Sequence, residues 1–322
     1  MGSYSTGDFK MSIDWSNPEE VLKAYDDGLQ TATFDPIDMM LLLEQLPTPF
    51  FSEGGNDLFG TGKGVLSLPY KAIQHFFPEF GTDENQTTGD CVSHSTRNAI
   101  DVTRCYEILY KKEKEVYVAR AATEPIYGCR GHGGQGMHCS QAARFVGVDG
   151  GVLLRQNYTD IGVDLSKYNS KIGINWGSRG IPDNVKQKAK EHQINVTTVG
   201  TIEQARDLLA NGYALSVCSN YGFSNVRDKN GISEAKGSWG HAMAWIGCDD
   251  TQERSKETLF LVQNSWGKWN SGPRVHGQPE GSFWIRQKVA EAMIGYGAAF
   301  AFSDFKGFKR KMDWSRLGGI YS

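Results

Sequence analysis

The chain lacks an excess of charge of either sign, and it lacks long apolar runs. Its 322 residues include 34 lysines and arginines against 37 aspartates and glutamates, which gives a net charge of −3. General nucleic-acid binders usually carry a clear basic excess, so we expect no nucleic-acid partner. No stretch approaches the 18 or so apolar residues that a membrane helix needs, and we therefore expect no membrane span.

Cysteine is also scarce. Six cysteines are too few for a scaffold held together by disulfides, and residues 1–15 lack the basic, apolar and small-residue order of a secretory signal. We therefore expect mostly free thiols, and a location in the cytoplasm or inside a virion or other assembly.

Glycine, by contrast, is frequent, and the 38 glycines indicate many turns and close backbone approaches. Helix signals dominate the first part of the chain, and strand signals dominate the last third. The predicted helices begin at Asn17-Pro18, cover 36–46, follow Cys91 and cover Ile202–Ala210; the predicted strands are 214–218, 241–246, 259–263 and 283–286. Helices early and strands late predict an α+β fold.

The composition divides the chain into three regions. Residues 1–66 form an N-terminal extension that ends in a glycine-rich loop, and residues 67–304 read as one continuous domain. Residues 305–322 form a basic tail with five basic residues against Asp313. This tail is either a solvated end or a docking arm for a partner.

Three segments carry residues suited to one kind of chemistry. Cys91 opens a predicted helix, whose dipole favours the reactive thiolate. His241 opens an apolar strand, and Asn264 ends another. A thiol becomes a strong nucleophile when an imidazole takes its proton, and an amide oxygen can hold that imidazole in one tautomer. A side-chain amide near the thiol, such as that of Gln86, can stabilise an oxyanion.

In this order, the segments resemble the papain family of cysteine proteases. The matching motifs are Gln86 with Cys91, His241 with Gly247, Asn264-Ser265-Trp266-Gly267, Gly281-Ser282-Phe283-Trp284-Ile285, Leu68-Pro69 and Gly128-Cys129-Arg130-Gly131 with Gly133-Gly134. The resemblance spans about residues 66–304. It implies a papain-like α+β fold with a helical left subdomain, a β-barrel-like right subdomain and a cleft between them.

The resemblance also implies roles for individual residues. Cys91 is the nucleophile, His241 is its partner base and acid, and Asn264 orients His241. The side chain of Gln86 and the backbone N–H of Cys91 stabilise the oxyanion.

The resemblance extends to the substrate cleft. Gly133, Gly134, Gly240 and Trp266 form its substrate-binding set, with the backbone near Gly133 and Gly134 pairing with an extended polypeptide. Trp266 also shields the contact between His241 and Asn264. No cofactor is implied.

The motif around the nucleophile departs from the family pattern. Val92 stands where the family usually has an aromatic residue. Asp90 precedes the nucleophile, and its carboxylate disfavours the thiolate unless it points away. Thr88 stands at the family's usual disulfide position, so Cys129 lacks that partner.

Cys129, His132, His138 and Cys139 lie close together in the sequence. They fit a glycine-rich cleft loop best, because their spacing is not that of a standard zinc site. A zinc site and a Cys129–Cys139 disulfide are the two other interpretations.

We interpret the sequence as a cysteine peptidase that hydrolyses peptide bonds in polypeptides. Two alternatives remain: a papain-like domain that serves as a structural or assembly component, for example of a virion, and a peptidoglycan-cleaving amidase or endopeptidase. Residues 1–66 are either an inhibitory prosegment or, as we favour, an extension that docks the domain onto a larger assembly. The tail could contribute to the same docking.

Overall fold

The structure is a computed structural model that describes residues 13–51, 56–111 and 119–303. The basic tail at 305–322 lies outside the described residues. Within the described residues, no helix combines the length and apolar character needed to cross a membrane.

Helices occur mainly before residue 211. Those of the described residues are α1 (Pro18–Asp26), α2 (Pro36–Gln45), α3 (Tyr70–Phe76), α4 (Cys91–Lys111), α5 (Thr123–Gly128), α6 (Cys139–Arg144), α7 (Ser170–Arg179), α8 (Asp183–Ala189), α9 (Ile202–Ala210) and α10 (Gln287–Ile294). The predicted helix start at Asn17-Pro18 is confirmed, because the Asn17 side chain accepts a hydrogen bond from the backbone N–H of Glu19. The predicted helix over 36–46 is confirmed as α2, which Asp35 caps in the same way.

The strands form one large sheet and two small ones. They are β1 (Ala32–Thr33), β2 (Leu66–Ser67), β3 (Met137–His138), β4 (Asn157–Tyr158), β5 (Val163–Asp164), β6 (Asn195–Thr198), β7 (Leu215–Ser219), β8 (His241–Asp249), β9 (Leu259–Gln263), β10 (Ser282–Arg286) and β11 (Ala299–Ser303). The large sheet has the order β10-β9-β8-β7-β11-β6, with β2 on the far end of β8, and its pairs are antiparallel. β1 pairs with β3 in parallel, and β4 pairs with β5.

The helices pack in two groups, each around its own buried apolar cluster. One cluster contains side chains of α2 to α8, and the other contains side chains of α1, α9 and α10. The strand β8 serves both: Ala244 and Ile246 belong to the first cluster, whereas Met243 and Trp245 belong to the second. Since successive side chains point to opposite faces of a strand, this alternation shows that both faces of β8 are covered.

The helix that follows Cys91 is buried on more than its apolar face. The predicted stripe that includes Ala99 and Val102 is buried, but so are Arg97 and Asp101. Asp101 accepts a hydrogen bond of 2.6 Å from Arg120, and Arg97 pairs with Glu84. Helical periodicity identifies one face, and a buried ionic network covers the other.

The described part of the N-terminal extension is integrated into the fold. α1 contributes Val21 and Tyr25 to the second cluster, whereas α2 contributes Met39 and Leu42 to the first. Between these two helices, residues 25–33 pass along the opening between the start of α4 and the start of β8. We call residues 25–33 the cleft segment.

Candidate active site

The thiol of Cys91 lies at the first residue of α4, in a fully buried position. The helix dipole places partial positive charge here. The backbone N–H of Ala242, beside His241, is also hydrogen-bonded to the sulfur. The start of β8 and the start of α4 therefore meet at the nucleophile predicted from the sequence.

His241 and Asn264 meet because β8 and β9 are antiparallel neighbours. The Nε2 atom of His241 lies 2.8 Å from Oδ1 of Asn264, and the same Oδ1 accepts a bond of 2.7 Å from the backbone N–H of Ser265. The backbone N–H of Ser265 can only donate, so the atom that it contacts is the amide oxygen of Asn264, which can only accept. Nε2 therefore carries the proton, and Nδ1 is the free base. The ring of Trp266 lies 4.7 Å from that of His241.

Two hydroxyl groups of the cleft segment separate the thiol from the imidazole. The hydroxyl of Thr31 lies 3.1 Å from Sγ of Cys91, and it is hydrogen-bonded to the hydroxyl of Tyr25. The Tyr25 hydroxyl in turn lies 3.1 Å from Nδ1 of His241. With Nδ1 as an acceptor, Tyr25 donates to His241, Thr31 donates to Tyr25, and the thiol of Cys91 donates to Thr31.

The backbone of the cleft segment is held by both walls of the opening. The N–H groups of Thr31 and Ala32 each donate to the carbonyl of Gly240 at 2.8 Å, and the Thr31 carbonyl accepts from Met137 at 3.1 Å. Gly136 permits this approach, because a Cβ there would lie 2.8 Å from Cα of Thr31. The carbonyl of Thr31 is thus engaged with β3, and it is hydroxyl groups that face the thiol.

Gln86 lies beside the same group of atoms. Its side-chain oxygen accepts hydrogen bonds from Ser265 Oγ and, at 3.2 Å, from the indole N–H of Trp266. One N–H of the amide donates to the carbonyl of Thr88 at 2.9 Å. The Tyr25 hydroxyl also hydrogen-bonds Gln86. Tyr25 therefore stands where Cys91, His241 and Gln86 converge.

Burial keeps the thiol and the imidazole neutral. It raises the pKa of Cys91 to about 11 against the opposing hydrogen bonds from Thr31 and the backbone of Ala242, and the negative charge of Asp90 adds a smaller increase. Burial likewise lowers the pKa of His241 to about 4, against the effect of its bond to Asn264. At neutral pH this arrangement holds Cys91 as a thiol and His241 as a neutral imidazole.

Asp90 points into a polar cluster behind the nucleophile. Its carboxylate accepts a bond of 2.7 Å from the hydroxyl of Tyr168 and lies 3.4 Å from Nε2 of His94. The sequence reasoning identified Asp90 but missed Tyr168, because the two residues are 78 positions apart. The contact with His94 follows a helical spacing of four and could have been found.

The structure brings together Cys91, His241, Asn264, Gln86, Gly240 and Trp266. Gly133 and Gly134 lie apart from the cleft segment, which pairs with β3 instead: a Cβ at Gly133 would meet Ser178, and the carbonyl of Gly134 accepts from Arg130. The close glycine is Gly136, two positions further on. Sequence reasoning missed Tyr25 and Thr31, since nothing local marks them as cleft residues.

The four residues considered for zinc do not converge. Cys139 forms a disulfide with Cys218, which corrects the proposed Cys129–Cys139 pairing, while Cys129 is a free thiol. The expectation of mostly free thiols holds for the other four cysteines.

One other set of possible metal ligands occurs among the described residues. Ligand atoms of Asp35, Asp38 and His138 lie within 4.8 Å of one another. The Asp35 carboxylate already caps α2, and His138 is hydrogen-bonded to Thr33.

No model of a known protein family and no curated protein matches the chain. Solved structures match it in fold. Xylellain, a cysteine protease from Xylella fastidiosa, has a TM-score of 0.50 at 13% identity, over 86% of this chain and 96% of that one. Procathepsin B from Trypanosoma congolense has the same score and identity over 87% of each chain.

A cysteine protease of ragweed pollen, in its proform, also has a TM-score of 0.50 at 13% identity, over 88% of this chain and 76% of that one. At this identity the likeness concerns the fold alone. The predicted papain-like α+β fold is confirmed, and its structural neighbours are papain-family cysteine proteases.

Proposed function

We propose that the chain is a cysteine peptidase in a latent form, in which its own N-terminal segment occupies the catalytic cleft. The observation that carries this proposal is the hydroxyl chain from Cys91 through Thr31 and Tyr25 to His241. A thiol and an imidazole base face one small space, and the base is oriented by Asn264. That is the arrangement a thiol nucleophile requires.

In the open enzyme, the thiol loses its proton to Nδ1 of His241 once water and substrate replace the two hydroxyls. The thiolate then attacks a peptide carbonyl, and the second N–H of Gln86 together with the backbone N–H of Cys91 stabilises the oxyanion. His241 returns the proton to the leaving amine, and water hydrolyses the thioester. Asn264 keeps the imidazole in the required tautomer throughout.

The same geometry keeps the backbone of the cleft segment out of position for cleavage. Acyl transfer needs a carbonyl carbon in front of the sulfur. Here the Thr31 carbonyl is hydrogen-bonded to Met137, and hydroxyl groups stand before the thiol. The segment therefore acts as an inhibitor, and activity requires its displacement.

The test labels the full chain with an epoxysuccinyl thiol-protease inhibitor and locates the adduct by mass spectrometry. We expect slow labelling of Cys91 in the wild type. We expect labelling on the order of 100-fold faster in Tyr25→Ala, because truncating a buried aromatic residue weakens its segment by about 3 kcal/mol or more. Cys91→Ala should give no adduct. Tyr158→Ala, a buried tyrosine in β4, controls for general destabilisation.

The Tyr25→Ala variant is then incubated with a mixture of peptides and, separately, with purified peptidoglycan. Hydrolysis of peptides alone supports the peptidase. Hydrolysis of peptidoglycan alone supports the amidase alternative. A folded Tyr25→Ala variant whose Cys91 reacts but which cleaves neither substrate would overturn the proposal and leave the assembly role as the better explanation.

A further inference from the structure

Ala32 directs its side chain to the buried face of the β1–β3 pair. It is 4% exposed and lies opposite Met137 in the β1–β3 pair, whereas Thr33 is exposed and lies opposite His138. Paired residues of neighbouring strands share a face, and successive residues alternate. The bond of 2.8 Å between Thr33 Oγ1 and His138 Nδ1 marks the outer face. Ala32 and Met137 therefore share the buried face.

Cys139 and Cys218, which form a disulfide, belong to the same buried apolar cluster as Ala32 and Met137. Cys139 follows Met137 by two positions and begins α6, and both residues are 2% exposed. Cys218 lies on β7, whose next residue, Ser219, pairs with His241. The disulfide thus joins the helical wall of the cleft to the sheet wall at β7, the strand that β1 with Ala32 contacts.

The backbone groups around this point would serve any extended peptide. The carbonyl of Gly240 and the N–H of Met137 bind the backbone of the cleft segment now. They would offer the same hydrogen bonds to a bound polypeptide strand, in the manner of strand addition. Such bonds are indifferent to sequence, so selection depends on the side-chain pocket beside them.

We propose that the pocket under Ala32, closed by the Cys139–Cys218 disulfide and by Met137, selects polypeptide substrates with a small side chain at one position. The residues that fit are glycine, alanine and serine. This inference rests on the proposed peptidase function for its substrate. The structural part of the proposal is that the disulfide forms the floor of the pocket and limits its depth. A larger side chain would not fit, because a close-packed interior resists added volume.

The first experiment uses the full chain and the rate at which iodoacetamide alkylates Cys91. We expect Ala32→Leu to raise that rate roughly tenfold or more over the wild type, because the larger side chain does not fit and displaces the segment. Ala32→Ser should match the wild type. Thr33→Leu is the matched control, with a similar gain in volume on the exposed face of the same strand, and should also leave the rate unchanged.

The second experiment uses variants that lack the disulfide, the proposed floor of the pocket. In Cys139→Ala/Cys218→Ala, Ala32 still fits, so the slow alkylation of the wild type should persist. Combining this pair with Ala32→Leu should return the alkylation rate close to that of the wild type, because the leucine enters the space left by the sulfurs. A slow rate in Ala32→Leu alone, or a fast rate that persists in the triple variant, would overturn the proposal. So would a fast rate in the cysteine pair by itself.

The substrate experiment uses Tyr25→Ala with a peptide mixture. We expect cleaved peptides to be enriched in glycine, alanine and serine at one fixed distance from the cut, and the enrichment to extend to leucine when both cysteines are replaced by alanine. Cleavage without this enrichment would contradict the pocket and leave the peptidase intact. An absence of cleavage beside the expected alkylation pattern would contradict the peptidase and leave the pocket intact.

Discussion

The hydroxyls of Tyr25 and Thr31 place neutral hydrogen-bonding groups between Cys91 and His241, where a reactive pair would carry opposite charges. Both reactive groups are fully buried. Burial penalises their charged forms, so the latent state prefers the protonated thiol and the unprotonated imidazole. Displacing the cleft segment would expose both groups and change their proton affinities, so the proposed latency should depend on pH.

We predict that acid weakens the latent state. The pKa of His241 is lowered from 6.5 to about 4, so the latent state disfavours protonation of His241. Stability from this group is fully present above pH 6.5 and is lost as pH falls towards 4. The pKa of Cys91 is raised from 9.0 to about 11, and stability from that group is lost as pH rises through this range. The segment should therefore be held most firmly between about pH 6.5 and 9.

The measurement is the labelling rate of Cys91 in the wild type divided by that in Tyr25→Ala at each pH, which cancels the intrinsic pH dependence of the thiol. This ratio should rise by up to about tenfold per pH unit below 6.5, until it approaches one. A ratio that stays constant from pH 7.5 to 4.5 would show that His241 does not control latency.

At the scale of elements, α1 carries Tyr25 into the site. The helix begins at Asn17, whose side chain accepts from Glu19 N–H at 3.1 Å, and Pro18 occupies the first position. Asp26 fixes the other end by accepting a bond of 2.9 Å from the indole N–H of Trp239. The order of this one helix therefore determines whether the hydroxyl of Tyr25 reaches His241.

We predict that Asn17→Ala loosens the latent state without disturbing the rest of the fold. Loss of an N-cap costs about 1 kcal/mol, which corresponds to roughly a fivefold change in equilibrium. Labelling of Cys91 should accelerate by that factor.

Asn169→Ala is the matched control, since Asn169 caps α7 through a 3.1 Å bond from Lys171 N–H, outside the cleft segment. It should lower thermal stability to a similar extent and leave the labelling rate unchanged. Equal acceleration in both variants would show that labelling reports general unfolding instead of release of the segment.

At the scale of the whole molecule, a buried ionic network connects the loop before the nucleophile to distant parts of the chain. Arg155 lies 2.7 Å from Glu84 and 2.5 Å from Glu124. Burial raises the pKa of the Glu84 carboxyl, but the positive charges of Arg97 and Arg155 outweigh it and lower the pKa to about 2. Through Glu84, the network fixes the loop that contains Gln86 against α4.

We predict that Arg155→Met lowers the free energy of unfolding by about 3 kcal/mol or more, because it leaves the buried Glu124 carboxylate without its cation. Lys188→Ala, which breaks a surface pair with Glu191, should cost less than about 1 kcal/mol. Urea unfolding followed by tryptophan fluorescence measures both.

The stability that Glu84 contributes is present above pH 4.5 and is lost as pH falls towards 2. The difference between wild type and Arg155→Met should therefore narrow in acid. Equal costs for Arg155→Met and Lys188→Ala at pH 7 would contradict the importance of the network.

The sequence by itself determined the parts of the site that depend on local patterns. The helix after Cys91 and the strands that begin at His241 and end at Gln263 follow from periodicity, and their order indicated the papain-like fold. The spacing of apolar residues shows which side chains share one face of a helix or strand, so these elements can be predicted from the sequence alone.

Only the tertiary structure decided which side chains lie in the cleft and which cysteines form the disulfide. Tyr25 and Thr31 reach Cys91 and His241 from a segment 60 to 216 residues away. The disulfide pairs cysteines 79 residues apart, and the Asp90 carboxylate accepts a hydrogen bond from a tyrosine 78 residues away. Such contacts depend on which surfaces meet when the layers pack, and the local pattern around each residue carries no record of its distant partner.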